Sequence, residues 1–241
     1  LRLTSYVGDI AHLFSIFSVV YGIHSSESCR GISFNTRLLY VLVFCSRYLD
    51  IVFVTTGHWI SLYNFLMKMS FLISSVYVVV LMHIVSRRTN ERGFSEHFHS
   101  RYLIAPCVLL AALFNYGWTV PEILWSFSIW LEAVAIIPQL SIIHRTGEAS
   151  KAIKFSLHAL TIYRMLHLLE WGRLYLFKYQ QMSHIDPISI LSGIMQAVIL
   201  LVFGWVYGSQ LFLEQYVSLP IFFCSLLLTK LIRMRTLSQR E

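Results

Sequence analysis

An all-α integral membrane protein with seven transmembrane helices is the fold class this sequence predicts, and three observations predict it. Of the 241 residues, 56% are hydrophobic and only 13% charged, an apolar excess well beyond that of soluble domains. Seven mostly apolar stretches approach the roughly 17 to 25 residues that a helix needs to cross a hydrocarbon core about 30 Å thick. Basic residues collect in the loops that seven alternating crossings place on one face. The same composition excludes other classes. Glycine and proline are too sparse for a collagen-like or disordered chain, and Cys29, Cys45, Cys107 and Cys224 lack both zinc-ligand pairing and disulfide-scaffold density. The formal net charge of +7 is spread over short loops, which argues for membrane topology rather than nucleic-acid binding.

The first stretch, Tyr6 to Gly22, carries Asp9 and His12 and has no basic segment leading to a small-residue cleavage site, so it is expected to be a true helix rather than a signal peptide. The second, Leu38 to Thr56, holds Arg47 and Asp50 one turn apart. Lys68 interrupts the third, Trp59 to Val85, and the fourth is the short run Tyr102 to Tyr116. Glu122 and Glu132 lie on the fifth, Pro121 to Ile143. The sixth, Phe155 to Leu176, bears Arg164, His167, Glu170 and Arg173, and the seventh is Ile188 to Leu213. These stretches assign residues 1–220 to one seven-helix domain. An apolar run at Ile221 to Ile232 is too short to cross and would carry a basic tail to the wrong face, so residues 221–241 are expected to form a cytoplasmic amphipathic tail.

One face collects Arg30 and Arg37, then Arg87, Arg88, Arg92 and Arg101, then Arg145, Lys151 and Lys154, and finally Lys230, Arg233, Arg235 and Arg240. The other has little beyond Arg2 and Lys178, apart from Arg173 at a helix end. The positive-inside rule makes the first face cytoplasmic, with a luminal or external N-terminus and a cytoplasmic C-terminus. A faint internal repeat pairs Ile23-His24 with Ile143-His144 and Arg47-Tyr48-Leu49-Asp50 with Arg164-Met165-Leu166-His167. It implies three helices, a linker helix and three more, with a site between the halves.

Ionisable residues inside a bilayer each cost about 2.5 to 3.5 kcal/mol at a helix centre unless paired or hydrated, so they mark function. Helical steps of three and four place Glu122, Trp125, Ile129, Glu132, Ile136 and Gln139 on one stripe, with Glu132 about 15 Å deeper than Glu122. Tyr163, His167, Glu170 and Arg173 make a second stripe, with Arg164 about 100° aside. The polar faces are expected to converge on a lumen-facing cavity. Its guanidinium groups suit a carboxylate, and Asp50 with Glu122 suits an ammonium, so a short peptide of both signs fits better than a neutral sugar. No nucleophile–base pair or metal-ligand motif points to an enzyme or a cofactor.

The segments Ser46-Arg47-Tyr48-Leu49-Asp50, Ser61-Leu62-Tyr63-Asn64 with Met67-Lys68, and the long run from Pro121-Glu122-Ile123-Leu124-Trp125 through Leu131-Glu132 to Pro138-Gln139-Leu140 and Arg145-Thr146-Gly147-Glu148-Ala149 resemble the KDEL receptors, also called ER lumen protein-retaining receptors. The resemblance runs from about Gly8 to Pro220. It implies a seven-helix fold similar to the SWEET and PQ-loop proteins and a non-enzymatic receptor that binds C-terminal KDEL- or HDEL-type signals of luminal cargo. Such a receptor cycles between cis-Golgi and endoplasmic reticulum membranes with the COPI coat machinery. Matched motifs imply that Arg47 and Tyr48 engage the terminal carboxylate and Arg173 an acidic side chain, while Asp50, Glu122, Trp125 and Trp171 form the pocket for the first, basic signal residue. His12 resembles a pH sensor, and Glu132, Tyr163 and Arg164 a network that tightens around bound ligand.

The sequence departs from the family at several places. Ser5 stands where an arginine is expected, with Arg2 nearby, and Val202 where an aspartate is usual. His167 and Glu170 replace tyrosine and asparagine, and residues are inserted between Asp50 and Ser61. A solute transporter of the SWEET or PQ-loop kind is the alternative reading, resting on the repeat and Pro138-Gln139.

Overall fold

A computed structural model describes residues 3–49, 59–89, 100–178 and 187–211. All regular structure among them is helical: α1 (Leu3–Ser26), α2 (Phe34–Arg47), α3 (Trp59–Arg88), α4 (Arg101–Leu113), α5 (Val120–Val134), α6 (Ile137–Thr146), α7 (Lys151–Lys178) and α8 (Pro187–Leu211). The stretch Val120–Thr146, which contains both α5 and α6, is one membrane-length apolar rod, so the eight helices account for the seven expected crossings. Arg2, Asp50 and the tail 221–241 lie outside the described residues, as do the side chains of Ser5, Trp171 and Arg173.

The rod breaks at Ala135 and Ile136 for a reason visible in the sequence. Pro138 has no amide hydrogen to give the Val134 carbonyl, and its ring crowds that carbonyl. The amide of Gln139, displaced from the regular ladder, donates instead to Thr36 Oγ1 at 3.0 Å. The Gln139 side chain is fully buried and completes the tie. It accepts from Ser33 N at 2.9 Å and donates to Gly31 O at 2.7 Å, joining α6 to the loop between α1 and α2. Freed backbone groups at membrane depth must be re-satisfied by neighbours in this way.

The helix packing bears out the three-plus-one-plus-three arrangement. In the first half α3 packs against both α1 and α2, and in the second α8 packs against both α5 and α7. Across the halves α1 lies along α7 and α2 along α5, while α4 rests on α5. The two halves therefore correspond with α1 matching α5–α6, α2 matching α7, and α3 matching α8.

Loop chemistry repeats the correspondence. Ser26 Oγ donates to the carbonyls of Gly22 and Ser28, and Thr146 Oγ1 donates to those of Ile142 and Glu148. The next residue turns left-handed in both, Glu27 at φ 49° and Gly147 at φ 71°. Ser33 Oγ then accepts from Thr36 N, and Ser150 Oγ from Ile153 N, each capping the following helix. Arg47 and Arg164 stand equally far along the chain from these two serines.

The second crossing differs from its apolar run. Helix α2 starts earlier, where Ser33 caps it, and ends at Arg47; Tyr48, at φ −101° and ψ 31°, has left the helical region. Non-helical backbone at this depth is tolerated where it is buried in protein or lines a polar cavity, and α2 ends against α5 beside the polar cluster described below. Arg37, expected among the loop cations, is instead buried within the first turns of α2, 8% exposed.

Sidedness completes the membrane reading. Ile10, Phe14, Phe17 and Tyr21 make an exposed stripe on α1, and Leu191, Ile194, Val198, Val202 and Trp205 another on α8. Buried positions hold His12, Arg37, Glu132, Gln139 and Gln196 among the apolar core, so these polar groups face inward while the exposed stripes are apolar. The α5–α6 rod is the central element: 78% of its apolar window is buried, against 28–33% for α1, α3 and α8.

Candidate functional site

Glu132 lies near the end of α5, its side chain 3% exposed, where α2 and α7 approach from the two halves. Arg47 Nη1 of α2 meets Glu132 Oε2 at 2.5 Å, and Arg164 Nη2 of α7 meets Glu132 Oε1. The Tyr163 hydroxyl donates to the same Oε1 at 3.2 Å, and the Arg164 guanidinium lies 4.9 Å from the Tyr163 ring centre. Arg47 Nε donates to Ser128 Oγ at 3.1 Å, and Ser128 Oγ donates to Trp125 O at 2.6 Å. Both arginines thus come from matching places in the repeat and clasp one carboxylate.

These arginines, expected from the sequence to line an open cavity, are both paired with Glu132. The pairing does not exhaust them. Arg47 Nη2 and Arg164 Nε are buried with no hydrogen-bond partner among the described residues. Two guanidiniums against one carboxylate also leave one net positive charge. Unspent donors and surplus charge in a low-dielectric setting suit a second carboxylate.

His12 of α1, 3% exposed, sits in a box of rings. Its ring centroid is 4.4 Å from that of Tyr163, 4.9 Å from Phe71 and 5.7 Å from Phe44. Tyr163 also packs on His167 at 4.6 Å, whose ring nitrogen lies 3.2 Å from Tyr163 O. His12, Glu132, Tyr163 and Arg164 are therefore brought together, with Arg47.

Of the remaining expected residues, Trp125, Glu122 and Tyr48 are among those described. Trp125 is half-buried against Tyr116 at 5.9 Å, and Glu122 is exposed in the first turn of α5. Tyr48 stacks on Phe44 at 5.6 Å. Lys68, which the sequence reading left out of the pocket, has its Nζ 5.6 Å from the Tyr48 ring centre and so borders the site. Spacing along α3 gave no sign of this, because the partner ring comes from the C-terminal end of α2. Asp9 and Glu170, expected to join the common cavity, are engaged elsewhere. Tyr63 Oη donates to Asp9 Oδ2 at 3.1 Å, and Thr4 Oγ1 donates to Glu170 Oε2 at 2.5 Å.

Comparison with known proteins agrees with this arrangement. The sequence profile of the family described as ER lumen protein retaining receptor matches residues 28–173, which include α2 through most of α7 and therefore the whole arginine–glutamate cluster. The ER lumen protein-retaining receptor of Drosophila melanogaster is 38% identical over 215 residues, covering 89% of this chain and 97% of its own length. That of Kluyveromyces lactis is 40% identical over 205 residues, covering 83% and 90%. The Saccharomyces cerevisiae receptor is 34% identical over 220 residues, covering 89% and 97%. With a buried three-helix charge cluster, a seven-crossing fold and full-length relatives of this kind, the chain belongs to the ER lumen protein-retaining receptor family.

Proposed function

We propose that this protein is a Golgi-to-ER retrieval receptor that binds the C-terminal KDEL- or HDEL-type tetrapeptide of escaped luminal proteins. The family is one of receptors, not enzymes, and nothing favours the transporter alternative. The observation that carries the ligand reading is the pair of unspent guanidinium donors, Arg47 Nη2 and Arg164 Nε, beside a carboxylate that cannot neutralise both arginines. A peptide's terminal carboxylate supplies the missing acceptor and charge.

In this reading Arg47 and Tyr48 take the terminal carboxylate and Arg173 an acidic side chain of the signal. Asp50, Glu122, Trp125 and Trp171 receive the basic first residue, and Glu122 marks the luminal mouth. The N-terminus is luminal, the tail 221–241 cytoplasmic, and the COPI coat machinery returns the loaded receptor from cis-Golgi to endoplasmic reticulum. His12 is the pH sensor: an unperturbed imidazole titrates near pH 6.5, between an acidic Golgi and a near-neutral ER. The groups facing it are Tyr163, Arg164 and His167 of α7, Glu132 of α5, Arg47 and Tyr40 of α2 and the Phe71 ring of α3.

The test is titration of purified receptor with a short peptide ending in Lys-Asp-Glu-Leu at about pH 5.5 and about pH 7.2, with a C-terminally amidated control. Binding at the lower pH that amidation removes supports the receptor. Sugar flux without peptide binding would overturn it in favour of a transporter.

A further inference from the structure

A second buried cation lies apart from the Glu132 cluster and has no acid of its own. Arg37 enters α2 just after its Ser33 cap and is 8% exposed. Among the described residues it makes no ion pair, and its Nε is buried without a hydrogen-bond partner. It faces an internal cavity whose other polar walls are His12 and Ser15 of α1, Tyr40 of α2, Ser75 of α3 and Ser156 of α7. Every one of these side chains is nine-tenths buried or more. The cavity leaves about 20 Å³ for the centres of water-sized particles, enough for a water molecule or one monatomic ion and too little for a phosphate or a carboxylate.

The donor set discriminates between those two occupants. The guanidinium carries only donors, and the hydroxyls of Tyr40, Ser75 and Ser156 can donate into the space. Ser15 and Ser156 are already held against each other, with Ser15 Oγ 2.8 Å from Ser156 Oγ and 2.9 Å from Ser156 O. No carboxylate lines the cavity. A water there would satisfy hydrogen bonds but leave the buried guanidinium charge uncompensated, whereas a halide does both.

We propose that this cavity between α1, α2, α3 and α7 binds a chloride-sized monovalent anion that serves as the counter-ion of Arg37. The cavity shares His12 with the Glu132 cluster, but its test needs no cargo peptide.

The probe is bromide. Purified full-length receptor in gluconate buffer is titrated with sodium bromide at constant ionic strength while its melting temperature is followed, and crystals grown with bromide are measured for anomalous scattering. The expected result is a saturable rise of several degrees, an anomalous peak among Arg37, Ser75 and Ser156, and at least a tenfold weaker bromide response in Arg37→Gln. Ser75→Ala keeps the arginine and is expected to weaken the response less. An equal bromide response in wild type and Arg37→Gln overturns the proposal. So does a cavity without anomalous signal, a measurement on the wild-type protein that decides the matter even where Arg37→Gln fails to fold.

Discussion

The ring of Tyr163 packs 4.4 Å from the ring of His12, and the same side chain donates its hydroxyl to Glu132. One residue of α7 thus touches both the imidazole of α1 and the carboxylate of α5. His12 and the arginine clasp therefore share one side chain.

Tyr163→Phe separates these two roles, because it keeps the ring against His12 and removes the hydrogen bond to Glu132. A hydrogen bond to a charged group contributes about 1.5 to 3 kcal/mol, so peptide affinity at acidic pH is expected to fall roughly tenfold or more. Isothermal titration at about pH 5.5 measures it. An unchanged dissociation constant there would show that the hydroxyl plays no part in holding the ligand.

His12→Ala removes the imidazole itself. The sign follows from the protonated form: charge on His12 favours the ligand-bound clasp, so affinity rises as pH falls and the imidazole takes up its proton, and the alanine variant loses that rise. The ratio of affinities at about pH 5.5 and 7.2 is the readout, and a ratio equal to wild type would falsify the assignment.

The clasp also predicts an asymmetry in stability. Arg164→Met leaves Glu132 paired with Arg47, so the carboxylate retains a counter-ion. Glu132→Gln strips the ion-pair partner from both Arg47 and Arg164 at once, and breaking a buried pair by removing one side costs about 3 to 5 kcal/mol. The melting temperature of Glu132→Gln should therefore fall below that of Arg164→Met, and the opposite order would mean that Arg47 does not need the carboxylate.

Much of this arrangement was legible because charges in apolar stretches stand out. Glu132, Arg47, Arg164 and His12 were visible as costly residues, and helical spacing set their faces. Spacing along one helix does not say which neighbour arrives at that face. It left Asp9 in the common cavity, where the structure gives it Tyr63 of α3, and it left Lys68 out, although Tyr48 of α2 comes to it. Arg37 was read as a loop cation because it flanks an apolar run; only the Ser33 cap, which starts α2 before that run, brings it inside. The repeat was faint in sequence since it resides in hydrogen bonds that different residues can make, as Ser26 and Thr146 do.

The crossing of α1 and α7 makes a packing prediction with an internal control. A Cβ built on Gly22 runs into Ala152 Cβ, whereas one built on Gly204 of α8 meets nothing within 4 Å. Gly22→Ala should force the helices apart and cost about 1 to 3 kcal/mol, outweighing the helix-propensity gain of roughly 1 kcal/mol. Gly204→Ala keeps only the gain. A thermal melt of the two variants tests this, and a stabilised Gly22→Ala would mean that α1 and α7 do not approach so closely.

Gln139 gives the sharpest test of the rod's break, since its polarity has no ligand to explain it. Its side chain satisfies Ser33 N and Gly31 O, two backbone groups of the loop between α1 and α2, and its amide is held by Thr36. Gln139→Leu removes the partner of both loop groups, stranding Ser33 N in a fully buried place and Gly31 O in a part-buried one. Each stranded group costs about 1 to 3 kcal/mol, so the variant should lose several kcal/mol of stability. Gln139→Glu keeps the acceptor for Ser33 N but loses the donor to Gly31 O and buries a charge, and should also destabilise. If Gln139→Leu melts like wild type, the loop is held by something other than this side chain, and the proline break has a different compensation.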